Sequence, residues 1–254
     1  MTMTDHDNGL WVRRFHPAPA GAPRLVCLPH AGGSASFFFP VSRALSPAVE
    51  VLSVQYPGRQ DRRQEPCVPT IGELARQVTD VLRPWTDRPL AIFGHSMGAT
   101  LGFEVARLLE AETGAPVAHL FPSGRRAPSC HRHETVHLLD DEGLLADVRK
   151  LSGTNSAILG DPEMLRAALP AIRSDYRAAE TYTYADGPKL TCPVTVFTGG
   201  ADPKTTVDEA KAWAEHTTGP FDLHVFPGGH FFLAQHQPAI LRTLSAALTR
   251  TAVG

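Results

Sequence analysis

The sequence lacks the features of a membrane, secreted or nucleic-acid-binding protein. No run of about 18 apolar residues is present that could form a transmembrane helix, and the polar residues 1–10 contain no apolar stretch typical of a signal peptide. Lys and Arg number 24 against 26 Asp and Glu, without a long basic run, so the charge pattern differs from that of nucleic-acid-binding proteins. We therefore expect no membrane partner and no nucleic-acid partner.

Cysteine is also scarce. The four cysteines, Cys27, Cys67, Cys130 and Cys192, are scattered without a pairing pattern. Cys27 and Cys192 lie in or beside apolar, strand-like runs, where a free cysteine packs as a small hydrophobic residue. These features favour a reduced, cytoplasmic protein.

The apolar residues that are present point to a large α/β core. Hydrophobic residues make up 43% of the 254 positions, and several apolar runs are nearly continuous, which is typical of a parallel sheet covered by helices on both faces. The predicted strands span residues 24–28, 49–54, 90–93, 117–121, 194–197 and 221–226. The predicted helices span residues 70–82, 97–112, 204–217 and 238–251. Their alternation predicts an α/β protein with a mostly parallel, doubly wound sheet.

Residues 124–188 interrupt this alternation. They contain no convincing strand, but residues 140–151 and 162–184 have helix-like patterns. Ordinary crossover helices are the alternative, although roughly sixty residues are long for one crossover. We therefore predict a helical subdomain, residues 124–188, inserted into a core formed by residues 1–123 and 189–254.

The segment Gly94-His95-Ser96-Met97-Gly98 has the G-x-S-x-G pattern of a nucleophile elbow. It follows the predicted strand 90–93 and opens the predicted helix 97–112. Such a strand-to-helix turn needs small residues around the serine, which is then exposed at the carboxyl edge of the sheet. The pattern predicts that Ser96 is a catalytic nucleophile.

A serine nucleophile needs a base, and the base needs a carboxylate that orients it. In this kind of fold the acid and the histidine follow the serine in that order, each after a later strand. Asp202 comes just after the predicted strand 194–197, and His230 comes just after the predicted strand 221–226. Asp208 and Asp222 are rival acids, but the first lies in a predicted helix and the second opens a strand. We predict Ser96, Asp202 and His230 as the catalytic residues.

The choice of His230 is a choice among twelve histidines. Only His230 combines a strand-end loop with flexible glycines before it. Other histidines lie within predicted strands, at helix ends or beside the nucleophile: His95, His119, His216, His224 and His236.

Acyl transfer also needs hydrogen-bond donors for the oxyanion that develops on the substrate. One predicted donor is the backbone N–H of Met97, directly after the nucleophile. The second predicted donor is the N–H of Ala31, in the small-residue loop that follows the strand 24–28. Phosphate binding by the Gly32-Gly33 pair is the alternative, but neither a G-x-G-x-x-G nor a Walker pattern is present.

The segment His133-Glu134-Thr135-Val136-His137 matches the H-E-x-x-H pattern of zinc proteases, and Cys130 and His131 lie close by. Zinc chemistry would require this segment to be helical and a third ligand to be present. The segment follows a loop-like stretch, and the predicted serine triad already accounts for catalysis. We therefore expect no catalytic metal.

Six segments together resemble the type II thioesterases that accompany polyketide synthases and nonribosomal peptide synthetases. They are residues 28–33 (LPHAGG), 55–59 (QYPGR), 94–98 (GHSMG), 123–128 (SGRRAP), 200–202 (GAD) and 228–230 (GGH). The resemblance implies the α/β-hydrolase fold, with residues 124–188 as a mobile lid over an acyl chamber. It implies hydrolysis of acyl groups from the phosphopantetheine arm of acyl or peptidyl carrier proteins, without a cofactor and by a monomer. This activity would clear stalled or mis-primed chains.

Two groups of residues have both a structural and a functional interpretation. Arginines are solvated surface residues by default, but a basic rim could steer an acidic carrier protein; the candidates are Arg59, Arg62, Arg63, Arg125 and Arg126. Apolar residues of the lid pack between helices by default, but some could line an acyl channel. These are Leu144, Leu145, Leu151, Ile158, Leu159, Met164 and Leu165.

Three other functions are compatible with parts of the pattern. A carboxylesterase or lipase would use the same triad on oxyesters, and an acyltransferase would pass the acyl group to an alcohol or amine instead of water. A non-catalytic interaction module would be expected to have a damaged triad, which this sequence does not have.

Overall fold

One seven-stranded sheet forms the centre of the protein. The computed structural model describes residues 9–114, 116–152 and 162–251. In these residues the strands are Val12–Arg13 (β1), Arg24–Leu28 (β2), Glu50–Val54 (β3), Leu90–His95 (β4), His119–Ser123 (β5), Val194–Gly199 (β6) and Phe221–Phe226 (β7). Their spatial order is β1-β3-β2-β4-β5-β6-β7. Strands β2 to β7 are parallel, and β1 pairs with β3 in the antiparallel direction. The predicted, mostly parallel α/β sheet is confirmed; the short edge strand β1 was not predicted.

The sheet is buried on both faces because alternate side chains of its central strands enter two different apolar clusters. In β2, Val26 packs into one cluster and Leu25 and Cys27 pack into the other. The first face is covered by the helices Ile71–Leu82 and Met97–Thr113, and the second by Phe39–Leu45 and Gln237–Thr251. This double burial is the reason for the nearly continuous apolar runs in the sequence.

Local signals determine several helix boundaries. The helix Ile71–Leu82 begins after Thr70, whose Oγ1 accepts a hydrogen bond from the Glu73 N–H (3.3 Å), as the Thr-x-x-Glu pattern predicts. The predicted helix 204–217 is wrong in its start and its type. A short helix, Val207–Lys211, begins after the cap Thr206, and a 3₁₀ helix, Ala212–His216, follows it. The reciprocal hydrogen bonds between Thr206 and Glu209 stop the helix from beginning earlier.

Some helical segments were not predicted from the sequence, among them one that follows β2. A 3₁₀ helix, Ala35–Phe38, leads directly into the helix Phe39–Leu45. Three consecutive phenylalanines obscure the amphipathic pattern here, because Phe38 is fully buried whereas Phe39 is 42% exposed.

The described residues between β5 and β6 include several helices. The helices are Asp141–Ser152, Pro162–Ala167 and Leu169–Glu180, after a 3₁₀ turn at Val136–Leu138. The predicted helical stretch 162–184 is therefore two helices, which meet at Ala168. The helices Asp141–Ser152 and Leu169–Glu180 form a separate apolar cluster, made of Leu144, Leu145, Leu169, Ile172 and Tyr176. Ile158 and Leu159 lie outside the described residues, and the proposed domain bounds at 124 and 188 stay a prediction.

The described helices are also informative about membranes. Of the helices in residues 9–114, 116–152 and 162–251, none combines the length and apolar character needed to cross a bilayer.

Candidate active site

Ser96 lies on a strained turn between β4 and the helix Met97–Thr113. Its φ of 56° and ψ of −118° lie in a region that non-glycine residues rarely adopt. A Cβ on Gly94 would overlap the backbone of Gly98, and a Cβ on Gly98 would overlap the Leu28 carbonyl of β2. The two glycines therefore let the turn pack against its own helix and the neighbouring strand, which is the reason for the G-x-S-x-G spacing.

The structure brings the three predicted catalytic side chains into one hydrogen-bonded series. Ser96 Oγ lies 2.9 Å from His230 Nε2, and His230 Nδ1 lies 2.8 Å from Asp202 Oδ2. An ionised carboxylate can only accept, so Nδ1–H donates to Asp202 and Nε2 is left to accept the Ser96 proton. The Asp202 side chain is fully buried, and its second oxygen accepts the Lys204 N–H at 2.8 Å.

The loops that carry Asp202 and His230 are bound to each other. The Ala201 N–H donates to the Gly228 carbonyl (2.9 Å), and the Gly200 N–H donates to the Phe226 carbonyl (2.8 Å). These bonds join the ends of β6 and β7, which are adjacent in the sheet. The acid and the histidine are thus held by the same local framework although they are 28 residues apart.

The rival residues lie elsewhere. Asp208 is exposed and pairs with Lys211 (3.0 Å), and Asp222 pairs with His224 (3.1 Å) at the start of β7. The remaining rival histidines bind other partners: His119 binds Thr195, His216 binds Ser129 and His236 binds the Pro227 carbonyl.

Two further histidines surround the nucleophile without joining the series. His30 packs edge-on against Phe37 and Phe231, and the His95 ring lies 5.2 Å from the His230 ring. Burial, followed by the charges of His230 and Arg59, lowers the pKa of His30 to about 3. Burial and the same neighbouring His230 hold the pKa of His95 well below its usual value. Both rings are therefore neutral and poor bases at physiological pH.

A cavity of about 600 Å³ lies beside this series. Ser96 and His230 line it, together with the two predicted oxyanion donors, Ala31 and Met97. Apolar side chains from the helices between β5 and β6 form part of its wall: Val148, Leu151, Leu165 and Ile172. A space of this size, next to the predicted nucleophile and the two predicted donors, is suited to holding an apolar acyl group.

The interpretation of the arginines as surface residues is wrong for four of the five. Arg59, Arg62, Arg125 and Arg126 are each at most 9% exposed, and only Arg63 is exposed. Each guanidinium group has a partner: Arg59 binds Asp175, Arg62 binds Glu65, Arg125 binds Thr100 and Arg126 binds Glu134. These four buried arginines therefore do not form a basic rim on the protein surface, and Arg125 lines the cavity instead.

The H-E-x-x-H segment does not form the helix that a zinc protease needs. Residues 131–135 have no regular secondary structure, and His137 lies in a 3₁₀ turn. Glu134 pairs with Arg126 (2.6 Å) and Lys204 (3.1 Å), and His137 Nδ1 lies 2.6 Å from Glu180. The pattern therefore serves a charge network at the wall of the cavity, where Glu134 and Glu180 both lie.

This network predicts a pH-dependent contribution to stability. Burial opposes the ionisation of Glu134, but Arg126 and Lys204 outweigh it and lower its pKa from 4.5 to about 2. A lowered folded-state pKa stabilises the protein above pH 4.5, and this stabilisation is lost as the pH falls towards 2. In urea unfolding, the advantage of the wild type over Glu134→Gln should therefore shrink between pH 5 and 3. Asp208→Asn, which removes an exposed pair, is the control, and an advantage of Glu134 that is constant with pH would contradict the prediction.

Comparisons with known proteins show which family the chain belongs to. Residues 23–248 match the family model of the thioesterase domain. The chain is 55% identical, over 98% of its length and 68% of the relative's, to a probable cadicidin biosynthesis thioesterase of Streptomyces griseus. It is 53% identical to the thioesterase PikA5 of Streptomyces venezuelae, over 98% and 90% of the two chains.

A solved structure is similar along nearly the whole chain. The type II thioesterase BorB from the borrelidin biosynthetic cluster is 54% identical, with a TM-score of 0.92, over 94% of this chain and 98% of that one. The two chains therefore share one overall fold. The chain belongs to the thioesterase family, among the type II thioesterases of polyketide and nonribosomal peptide pathways, and has their α/β-hydrolase fold.

Proposed function

We propose that this protein hydrolyses acyl groups from the phosphopantetheine arm of acyl or peptidyl carrier proteins and so removes stalled or aberrant chains from an assembly line. The observation that carries the proposal is the hydrogen-bonded series Ser96–His230–Asp202 beside a cavity of about 600 Å³, in a chain of the thioesterase family. The reaction needs no cofactor, because water and side chains of this chain supply every group that reacts.

The reaction takes place in two halves. Ser96 Oγ attacks the thioester carbonyl carbon while His230 Nε2 takes the hydroxyl proton, and the imidazolium is balanced by Asp202. When the tetrahedral intermediate collapses, the carbon–sulfur bond breaks and His230 returns the proton to the pantetheine thiolate. Water, deprotonated by His230, then attacks acyl-Ser96 and releases the carboxylic acid and the free serine.

The backbone N–H groups of Ala31 and Met97 stabilise the oxyanion of both tetrahedral intermediates. Both residues line the cavity next to Ser96, and Met97 is the first residue of its helix, where N–H groups have no intrahelical acceptor. Donors fixed before the substrate arrives do not need to reorganise during the reaction, which is the basis of their catalytic effect.

Residues 124–188 act as the lid of the acyl chamber. The apolar side chains Val148, Leu151, Leu165 and Ile172 support this role, because they line the cavity from the inserted helices. Apolar walls distinguish chains that differ by one methylene only modestly, so we expect broad acyl tolerance. The protein acts as a cytoplasmic monomer on its carrier-protein partner.

Deacylation of defined carrier proteins tests this function. Purified protein is mixed with acyl and peptidyl carrier proteins that bear acetyl, propionyl or butyryl groups, and intact mass spectrometry follows the carrier. Loss of the acyl mass with the phosphopantetheine arm retained, in the wild type and not in Ser96→Ala, is the expected result. An unchanged acyl carrier together with rapid hydrolysis of a simple oxyester would identify an esterase. Transfer of the acyl group to an added alcohol or amine would identify an acyltransferase.

A further inference from the structure

A buried carboxylate connects one of the inserted helices to the loop that carries Ala31. Asp175, on the helix Leu169–Glu180, accepts a hydrogen bond from the Gly32 N–H (2.8 Å) and another from Arg59 (2.6 Å), both at Oδ2. The side chains of Asp175 and Arg59 are 4% and 6% exposed. A charge-assisted hydrogen bond in such a buried place restricts the donor strongly.

The same helix also contacts Gly32 directly. Gly32 has a φ of 73°, and a Cβ at this position would lie 2.5 Å from Ile172 Cγ1. Ile172 and Asp175 are three residues apart and therefore share one face of the helix. Gly32 is thus held by one apolar contact and one hydrogen bond from a single helical face.

Arg59 is in turn bound to the base of the loop. Its guanidinium lies over the Tyr56 ring, 5.0 Å from the centroid, and the Tyr56 hydroxyl donates to the Pro29 carbonyl (3.2 Å). The loop after β2 is therefore held at Pro29 by Tyr56 and at Gly32 by Asp175. Ala31 lies between these two points.

We propose that Asp175, paired with Arg59, is a positioning residue that holds the Ala31–Gly32 peptide so that the Ala31 N–H points at the developing oxyanion. The Ala31 N–H lies in the His30–Ala31 peptide plane, whose carbonyl accepts a hydrogen bond from the Gly33 N–H (2.9 Å) and so closes the turn of residues 30–33. The bond from the Gly32 N–H to Asp175 fixes the next peptide of the same turn, and the two bonds together hold the orientation of the Ala31 N–H. The inserted helix thereby contributes to transition-state stabilisation although it supplies no reacting atom. This proposal rests on the proposed thioesterase function.

The test compares Asp175→Ala with Arg173→Gln, because an asparagine oxygen in the place of Oδ2 could still accept both hydrogen bonds. Arg173 lies on the same helix, but within the described residues it donates to the His137 and Leu139 carbonyls and to Asp141, away from the loop. For an acyl-pantetheine thioester, we expect Asp175→Ala to lower kcat per titrated active site about 10- to 100-fold, with KM changed less than about threefold. Arg173→Gln should leave kcat within about threefold of the wild type, even if it lowers Tm.

A second measurement separates positioning from simple destabilisation. An acyl trifluoromethyl ketone adds to Ser96 Oγ, and its carbonyl oxygen becomes an oxyanion in the same place. If Asp175 positions the donor, the inhibition constant of this ketone should rise by the same factor as kcat falls. A loss of folded protein alone would change the titrated fraction but neither of these quantities.

The outcomes are distinct. If Asp175→Ala does not fold because Arg59 is left unpaired, Arg59→Lys keeps the charge but loses the guanidinium geometry, and it should lower kcat about threefold to tenfold. A kcat per site equal to that of the wild type, in the first of these variants that folds, overturns the positioning role. A wild-type protein that hydrolyses no thioester would instead contradict the proposed function.

Discussion

Replacing Ser96 with alanine is expected to lower the rate of thioester hydrolysis by about four orders of magnitude or more, because it removes the only atom that forms the covalent intermediate. The Ser96 side chain makes no helix-capping hydrogen bond, and alanine experiences the same backbone strain at φ 56° as serine. The folded state should therefore be almost unchanged, with a free energy of unfolding within about 1 kcal/mol of the wild type.

The control for this variant is Ser245→Ala, the same chemical change on the helix Gln237–Thr251, far from the cavity lining. It should leave the rate unaltered. Mass spectrometry of the wild type after reaction with a fluorophosphonate should place the adduct on Ser96, because the reagent requires an activated serine. Residual turnover of Ser96→Ala above a tenth of the wild-type rate, in protein free of wild-type enzyme, would refute the assigned nucleophile.

Asp202→Asn is expected to lower kcat by about 10⁴-fold while the site keeps its shape. The asparagine amide can donate to His230 Nδ1, which then has to accept, so the proton moves to Nε2. A protonated Nε2 cannot take the Ser96 hydroxyl proton. Pre-steady-state kinetics should show the loss in both acylation and deacylation, since the attack of Ser96 and the attack of water both need the neutral Nε2 acceptor.

Asp222→Asn is the matched control, because Asp222 also lies near a histidine, His224, but is exposed at the start of β7. It should retain the wild-type rate. If Asp202→Asn stayed within tenfold of the wild type and Asp208→Asn or Asp222→Asn did not, the acid would have been assigned to the wrong loop.

The elements that the sequence predicted are those with local causes. The strands β2 to β6 are predicted because their apolar runs are buried on both faces. The start of the helix at Ile71 has a local cause, because Thr70 and Glu73 are only three residues apart. Each part of the candidate site also depends on a short segment, because the turn at Ser96 and the loops at Asp202 and His230 each follow a strand. Parallel strands end at one edge of the sheet, so the order of the chain was sufficient to expect these three residues together.

The predictions that the sequence did not support correctly depend on contacts between segments that are distant in the chain. The helix 39–45 was missed because burial of Phe38 and exposure of Phe39 depend on what packs over them. The H-E-x-x-H pattern does not indicate the conformation of this loop. Arg126 and Lys204 stabilise that conformation through their ion pairs with Glu134. A motif of two or three residues does not specify which distant residues its side chains will contact.

The sequence by itself was sufficient to predict the sheet, the turn at Ser96 and the candidate acid and base, because periodicity, glycine spacing and strand ends are properties of short segments. Only the tertiary structure decided which buried charged side chains pair with each other. Arg59 and Asp175 are 116 residues apart, and nothing between them in the sequence indicates that they meet. A buried ion pair forms where two distant segments remove both charges from water at the same place, and that place exists only once the inserted helix packs on the loop after β2.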